Sequence, residues 1–337
     1  MERSTTERFP AEPRSTPLKL GLVTEVLAES PLAEVMRWLR EAAPAISGLE
    51  IIAGGYGPTS HCDRDGLLAE STARSAWLDE LRGHGFEVAA LNAWGNPLHP
   101  EPSVSAAQDR DLRETIRLAA ALDVNRVVAL AGCPGAGPDD RTTPHFAAGA
   151  WLPDLEGVSE WQWEAEILPY WSELSDFARR EYPELLICLE LHPGTCVHNV
   201  EEFERVSAVG GNIAANLDPS HLFWQGMDAF AVIDHLGQRI AHAHAKDMVF
   251  NEERRALNGV LDRRWPHPPD EMPWRFAAVG DGRPGAWWRR LAEALEAFTL
   301  VETLAIEHED QLKPALEGIP QAAALLAEGR VVSVESA

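Results

Sequence analysis

A chain of 337 residues, 45% of them hydrophobic, is long enough for one large α/β domain and has ample apolar material for a core. With 53 acidic residues against 29 basic ones the net charge is -24, and the only lysines are Lys19, Lys246 and Lys313. So acidic a surface repels phosphate backbones and anionic lipids, which argues against nucleic-acid and membrane partners. The four cysteines, Cys62, Cys133, Cys188 and Cys196, form no Cys-x-x-Cys pair. They read as reduced thiols of a cytoplasmic protein. No apolar run reaches the ~18 residues of a membrane span. Residues 1–16 lack the apolar stretch of a signal peptide and read as a disordered leader, with the folded domain over 17–337.

Eight short apolar runs alternate with amphipathic stretches. The first run, Leu18–Glu25, precedes a helical pattern over Pro31–Ala43. Leu49–Gly54 precedes Leu67–Arg82, Phe86–Asn92 precedes Ala106–Leu122, and Arg126–Gly132 precedes Trp163–Glu181. Leu185–Glu190 is followed by Val200–Val209, Ile213–Asp218 by Met227–Leu236, Ile240–Lys246 by Ala286–Ala297, and Thr303–Glu307 by Leu312–Ala327. The runs are short and apolar throughout, as buried parallel strands are, and the longer stretches carry apolar residues at three- and four-residue spacing. Strand then helix, eight times, predicts a single (β/α)8 barrel. An open doubly wound sheet would carry a glycine-rich phosphate turn, and neither Gly-x-Gly-x-x-Gly nor a Walker loop occurs.

Two connections are too long for simple turns, Cys133–Gln162 after the fourth strand and Met248–Gly285 after the seventh. Both follow strands, so both belong to the C-terminal face, where such barrels keep their active sites. They hold Trp151 and Trp161, and Trp265 and Trp274. These rings are expected to wall a pocket, stack on a sugar or face another chain, with Trp151 and Trp274 as substrate-binding candidates.

The last four strands end in Glu190, Asp218, His244 and Glu307. Three carboxylates and one imidazole converging on a barrel mouth suit Mn²⁺ first, with Mg²⁺, Co²⁺ or Zn²⁺ as further fits. Without a cation, four such groups would repel one another and be costly to desolvate. His192 lies two residues beyond Glu190, on the same face, and is a candidate general base. Glu25, His61, Asn96, His99, Lys246 and Asp247 fall at the mouth by position. Of these, Asn96, His99 and Lys246 are further substrate-binding candidates.

Several motifs resemble the xylose isomerase-like sugar isomerase/epimerase family. Asn216-Leu-Asp-Pro-Ser-His221, His242-Ala-His-Ala-Lys-Asp247 and Ile306-Glu-His-Glu-Asp310 look like its sixth, seventh and eighth strand ends. Gly280-Asp-Gly-Arg-Pro-Gly285, followed by Trp287, is similar to the turn before its last helix. The likeness spans Leu18 to Ala327. It implies that Glu190, Asp218, His244 and Glu307 hold a divalent metal, that Glu190 and Glu307 double as proton acceptor and donor, and that His221 touches substrate. Ketose 3-epimerases of the family carry a further Glu where this chain has Cys196, and an Arg where it has Met248-Val-Phe250.

The expected chemistry is proton abstraction beside the carbonyl of a sugar or sugar derivative, leading to isomerisation or epimerisation. The alternative is elimination: dehydration of a keto-sugar, or cleavage of an oxidised glycoside as in relatives that act on 3-oxo-C-glycosides beside a small partner subunit. The expected assembly is a homo-oligomer or such a hetero-oligomer. Metal-dependent phosphodiester cleavage, the chemistry of endonuclease-type barrels, would need a basic groove that the net charge opposes. A non-catalytic sugar-binding barrel would not need four converging ligands.

Overall fold

The computed structural model of the protein describes residues 17–148, 152–261 and 268–328. Eight parallel strands close into a barrel: β1 (Lys19–Val23), β2 (Ile46–Ile52), β3 (Glu87–Asn92), β4 (Arg126–Ala129), β5 (Leu186–Glu190), β6 (Ile213–Leu217), β7 (Ile240–Ala245) and, last in the chain, β10 (Thr303–Ile306). The order around the barrel is β1-β10-β7-β6-β5-β4-β3-β2. Helices follow the strands and cover the outside, giving the (β/α)8 architecture the alternation predicts.

The strands are buried on both faces. Outward side chains such as Leu91, Val127, Ile187 and Leu217 join the large core beneath the helices. A separate cluster of Ala90, Val128, Cys188, Ala214 and Ala241 is built mostly of small residues. Gly21 has the same function of making room: a Cβ there would stand 2.6 Å from Thr303 Cγ2. The room is taken by large polar side chains, Glu50, His242 and His244, all buried.

Two expected elements differ. The helical stretch over Leu67–Arg82 is two helices, Arg64–Ala69 and Ser71–Gly83, the first capped by Asp63, whose carboxylate accepts from Gly66 N. The stretch before Ala229–Leu236 is itself helical, Pro219–Gln225, closed by Gly226 at φ 78°. Proline at its first position and glycine just past its end are the usual signs of a short helix.

Neither long connection is a plain loop. Helix starts at Val158, not Trp163, and runs through a π-helical turn, Gln162–Ile167, into Leu168–Glu181. The buried Gln162 amide donates to Gly135 O at 2.9 Å and His145 O at 2.7 Å, pinning the preceding segment. After β7, residues fold into an antiparallel pair, β8 (Asp247–Phe250) with β9 (Trp274–Ala277), Asp247 opposite Ala277 and Phe250 opposite Trp274. A helix, Glu252–Asn258, lies between them. Trp151 and Trp265 fall outside the described residues.

Candidate metal centre at the barrel mouth

Parallel strands all point the same way, so the last inward residues of adjacent strands share one level. Glu190 ends β5, Asp218 follows β6, His244 lies next to the end of β7 and Glu307 follows β10. Their ligand atoms all lie within 4.8 Å of one another. His244 Nδ1 is 2.8 Å from Glu307 Oε2 and 3.7 Å from Glu190 Oε2. Asp218 also caps the helix that follows it, accepting from Ser220 N through Oδ1 and leaving Oδ2 for the cluster.

Lys246 supplies the balancing charge in this arrangement. Its Nζ is 2.9 Å from Asp218 Oδ2, 3.0 Å from Glu307 Oε2 and 3.7 Å from Glu309 Oε2. Burial alone would lower the lysine pKa, but Asp218, Glu307 and Glu309 hold it well above its ordinary value. Burial likewise pushes Glu307 up, and Lys246 and His244 override it, so its carboxyl sits well below the usual range. Glu190 is also depressed: burial opposes ionisation, while His221 and His244 favour it. Glu190 and Glu307 are therefore held as carboxylates, the form in which a metal ion would bind them.

The donor set fits a divalent cation on geometry. Asp218 Oδ2 and Glu307 Oε2 are near Lys246 yet receive no well-directed hydrogen bond, and neither ring nitrogen of the buried His221 has one. Such orphaned atoms normally cost stability, and here they face one another. Three carboxylates and an imidazole without thiolates suit a hard or borderline ion.

Beside the cluster is a cavity of about 510 Å³ lined by His192, His221, Trp224, Trp274, Phe276 and Glu309, with Pro193. Trp274 stacks on Trp224 at 5.0 Å with the rings 9° apart, and Phe276 meets His221 edge-on at 5.6 Å. The His192 and His221 rings are 4.1 Å apart. Burial, with His221 beside it, pushes the His192 pKa down to about 3, so the ring is neutral at ordinary pH. Burial, with Glu307 adding to it, raises Glu309 to about 7 against the pull of Lys246.

Thus Glu190, His192, Asp218, His221, His244, Lys246, Trp274 and Glu307 come together. Other mouth positions do not join them. The Asn96 amide is spent on Cys133, donating to its carbonyl at 2.9 Å and accepting from its N–H at 2.9 Å. His99 Nδ1 accepts from Glu101 N at 3.0 Å. His61 bonds Ser30 O, and Glu25 accepts from the Trp94 indole. Asp247 gathers the N–H groups of Gly280, Gly282 and Arg283 and so anchors the glycine-rich turn.

Four residues of the site are not singled out by the sequence, although Glu309 lies within the Ile306–Asp310 motif. Glu309 repeats the face of Glu307 two residues on, a signal that periodicity offers. Trp224 and Phe276 look like helix and strand core in one dimension. Glu50, inside the barrel, reaches His242 and His244 only through closure of the sheet.

The family described as xylose isomerase-like TIM barrel matches residues 46–329. Among curated proteins the chain is 33% identical over 300 residues to the uncharacterized protein YfiH of Bacillus subtilis (strain 168), covering 88% of this chain and 92% of that one. Its fold is similar to that of the probable 3-DHS dehydratase AsbF involved in petrobactin synthesis from Bacillus anthracis. There the TM-score is 0.63 at 14% identity, over 93% of this chain and 100% of the other. It is also similar to the IOLI protein with a binding zinc atom, at a TM-score of 0.59 and 16% identity over 92% of this chain and 98% of the other. With the family match running over most of the domain, including all four strand ends of the cluster, this chain belongs to the xylose isomerase-like TIM barrel family.

Proposed function

We propose that the protein is a divalent-metal-dependent enzyme acting on a sugar or sugar derivative, and that it begins by removing a proton beside a carbonyl. The observation that carries this reading is the convergence of Glu190, Asp218, His244 and Glu307 within 4.8 Å at the C-terminal mouth of the barrel. A bound ion, with Mn²⁺ the first choice and Mg²⁺, Co²⁺ or Zn²⁺ as alternatives, supplies Lewis acidity to a carbonyl oxygen. That the IOLI protein, similar in fold, is described with a binding zinc atom supports a metal-dependent reading.

The remaining work falls to the chain's own side chains. Glu190, which ends β5, and Glu307, which follows β10, are the pair assigned to take a proton and to return it. His192, neutral and open to the cavity, is the second candidate base. His221 and Lys246 orient substrate oxygens, and Trp274, stacked on Trp224, offers its face to the apolar side of a ring. The aromatic wall also keeps bulk water from the reacting carbons.

Isomerisation and epimerisation share this first step with elimination. The second reading, loss of water or of a glycosyl-type leaving group, draws support from Cys196. It stands where ketose 3-epimerases resembling this chain carry a glutamate, and its buried thiol is turned to Ala131 O at 3.5 Å. The fold's similarity to a probable dehydratase points the same way. Assembly as a homo-oligomer, or with a small partner subunit, belongs to the same proposal and is checked by size-exclusion chromatography with light scattering.

The deciding experiment turns over a panel of ketoses, keto-sugars and 3-oxo-glycosides in D2O with Mn²⁺ and follows products by NMR. Deuterium at the carbon beside the carbonyl is expected. An isomerised or epimerised product free of solvent deuterium would sink the proton-abstraction reading in favour of a hydride shift, and an unsaturated or cleaved product would mark elimination instead.

A further inference from the structure

We infer that Glu50 is a positioning residue for the metal centre, fixing the His244 ring so that Nδ1, and not Nε2, faces the cluster. The inference rests on the metal-binding reading above. Glu50 lies in β2, across the barrel from β7, and its side chain is completely shut off from solvent. Its Oε2 is 2.6 Å from His242 Nε2 and 3.1 Å from His244 Nε2, and its Oε1 accepts from Asn92 Nδ2 at 2.6 Å.

The contacts with Glu50 put a proton on Nε2 of His244. An ionised carboxylate only accepts, so a hydrogen bond between Glu50 and His244 requires the proton on Nε2. Asn216 Nδ2 is 3.3 Å from both ring nitrogens, but it is a donor and cannot take that proton. The other ring nitrogen, Nδ1, is the one turned to Glu307 and Glu190. A carboxylate behind a metal-bound imidazole fixes tautomer and ring plane and strengthens the free nitrogen as a ligand. His242 and Asn92, bonded to Glu50 from either side, hold the carboxylate itself in place.

Two other roles fit less well. Glu50, His242 and His244 lie within 4.8 Å of one another and could be taken for a second metal site. Yet both Glu50 oxygens are already taken, by Asn92 and by the two histidines, whereas the mouth cluster keeps Asp218 Oδ2 and Glu307 Oε2 without a hydrogen-bond partner. As mere filling, an ion-paired triad in the barrel axis is a costly substitute for apolar side chains, which often serve stability as well or better.

The test is titration of the full-length protein with Mn²⁺ by calorimetry, for wild type, Glu50→Ala and Glu50→Gln, with circular dichroism to establish folding. Glu50→Ala is expected to weaken affinity about 10- to 100-fold. Glu50→Gln, which keeps an acceptor oxygen, is expected to fall between it and wild type. Folded variants that bind Mn²⁺ as wild type does would overturn the role of Glu50 alone. Wild type that takes up no metal would instead remove the metal reading, and Glu50's role with it. Should the variants not fold, ¹⁵N NMR of the Zn²⁺-loaded wild type reads the tautomer directly. A protonated Nε2 on His244 is expected, and a protonated Nδ1 would overturn the proposal.

Discussion

Lys246 Nζ lies 2.9 Å from Asp218 Oδ2, and both side chains are closed to solvent. That pair places a fixed cation inside a nest of carboxylates, and it sets what happens when the lysine is lost. Lys246→Met is expected to destabilise the metal-free protein by about 3–5 kcal/mol, because the buried acids lose their counter-charge. Added Mn²⁺ should recover much of that loss. Thermal melts in EDTA and in Mn²⁺ check this, and an equal loss in both would show that Lys246 does not balance the acids.

Removing a ligand should have the opposite dependence on metal. Glu190→Gln and Asp218→Asn keep shape but remove a charge that His221 and His244, or Lys246, are paired with, so the metal-free proteins should melt below wild type. The stabilisation that Mn²⁺ gives wild type, set by ligand concentration over Kd, should shrink or vanish in both. Elemental analysis of wild type should find about one divalent ion per chain, as one four-ligand cluster implies. Chelation should abolish turnover, and Mn²⁺ should restore it.

Asp247 is expected to be structural. Its Oδ2 accepts from the N–H groups of Gly280, Gly282 and Arg283, so Asp247→Ala removes three part-buried hydrogen bonds at about 1 kcal/mol each. Gly282→Ala should be comparably damaging, since its Cβ would stand 2.1 Å from Met248 O. Both should lower the unfolding midpoint in urea. Wild-type stability in the two variants would mean that the turn is held elsewhere.

Trp274→Ala should act on substrate more than on folding. The ring lines the cavity and stacks on Trp224, while its indole N–H reaches Val260 O at 3.0 Å. KM is expected to rise about 10-fold or more, for a ring contact worth about 1.5 kcal/mol, with a small fall in melting temperature. A large loss of stability with unchanged KM would make it loop scaffolding. Trp151, outside the described residues, invites the same comparison.

The cysteines set an alkaline limit. Burial pushes the Cys62 and Cys188 thiols up to about 12 and Cys133 up to about 11. The unfolded chain ionises these groups near their ordinary value, so it releases protons first as pH rises. Their contribution is fully present below about pH 8.5 and is lost above it, at up to about 1.4 kcal/mol per thiol per pH unit, until the folded thiols ionise too. Melting temperature should fall progressively from about pH 8.5 to 11, more gently in Cys62→Ala. Equal slopes in the two proteins would count against the assignment.

The alternation of short apolar runs with amphipathic stretches determined the barrel by itself, because strand and helix periods are local properties of the chain. The set of side chains that converge at the mouth was legible for a related reason. In a parallel barrel the residue that ends each strand is also a residue of the mouth, so Glu190, Asp218, His244 and Glu307 could be read from strand ends alone. The helix over Pro219–Gln225 was hidden in a strand-end motif, and the β8–β9 pair lay in a stretch whose partner strands are more than twenty residues apart. Only tertiary structure decided which polar residues meet. Asn96 and His99 occupy mouth positions yet spend their side chains on the local backbone. Glu50 sits in an apolar run 192 residues before His242, and closure of the sheet makes them partners at 2.6 Å. A buried carboxylate needs a donor, but its position in the chain does not say which strand supplies one.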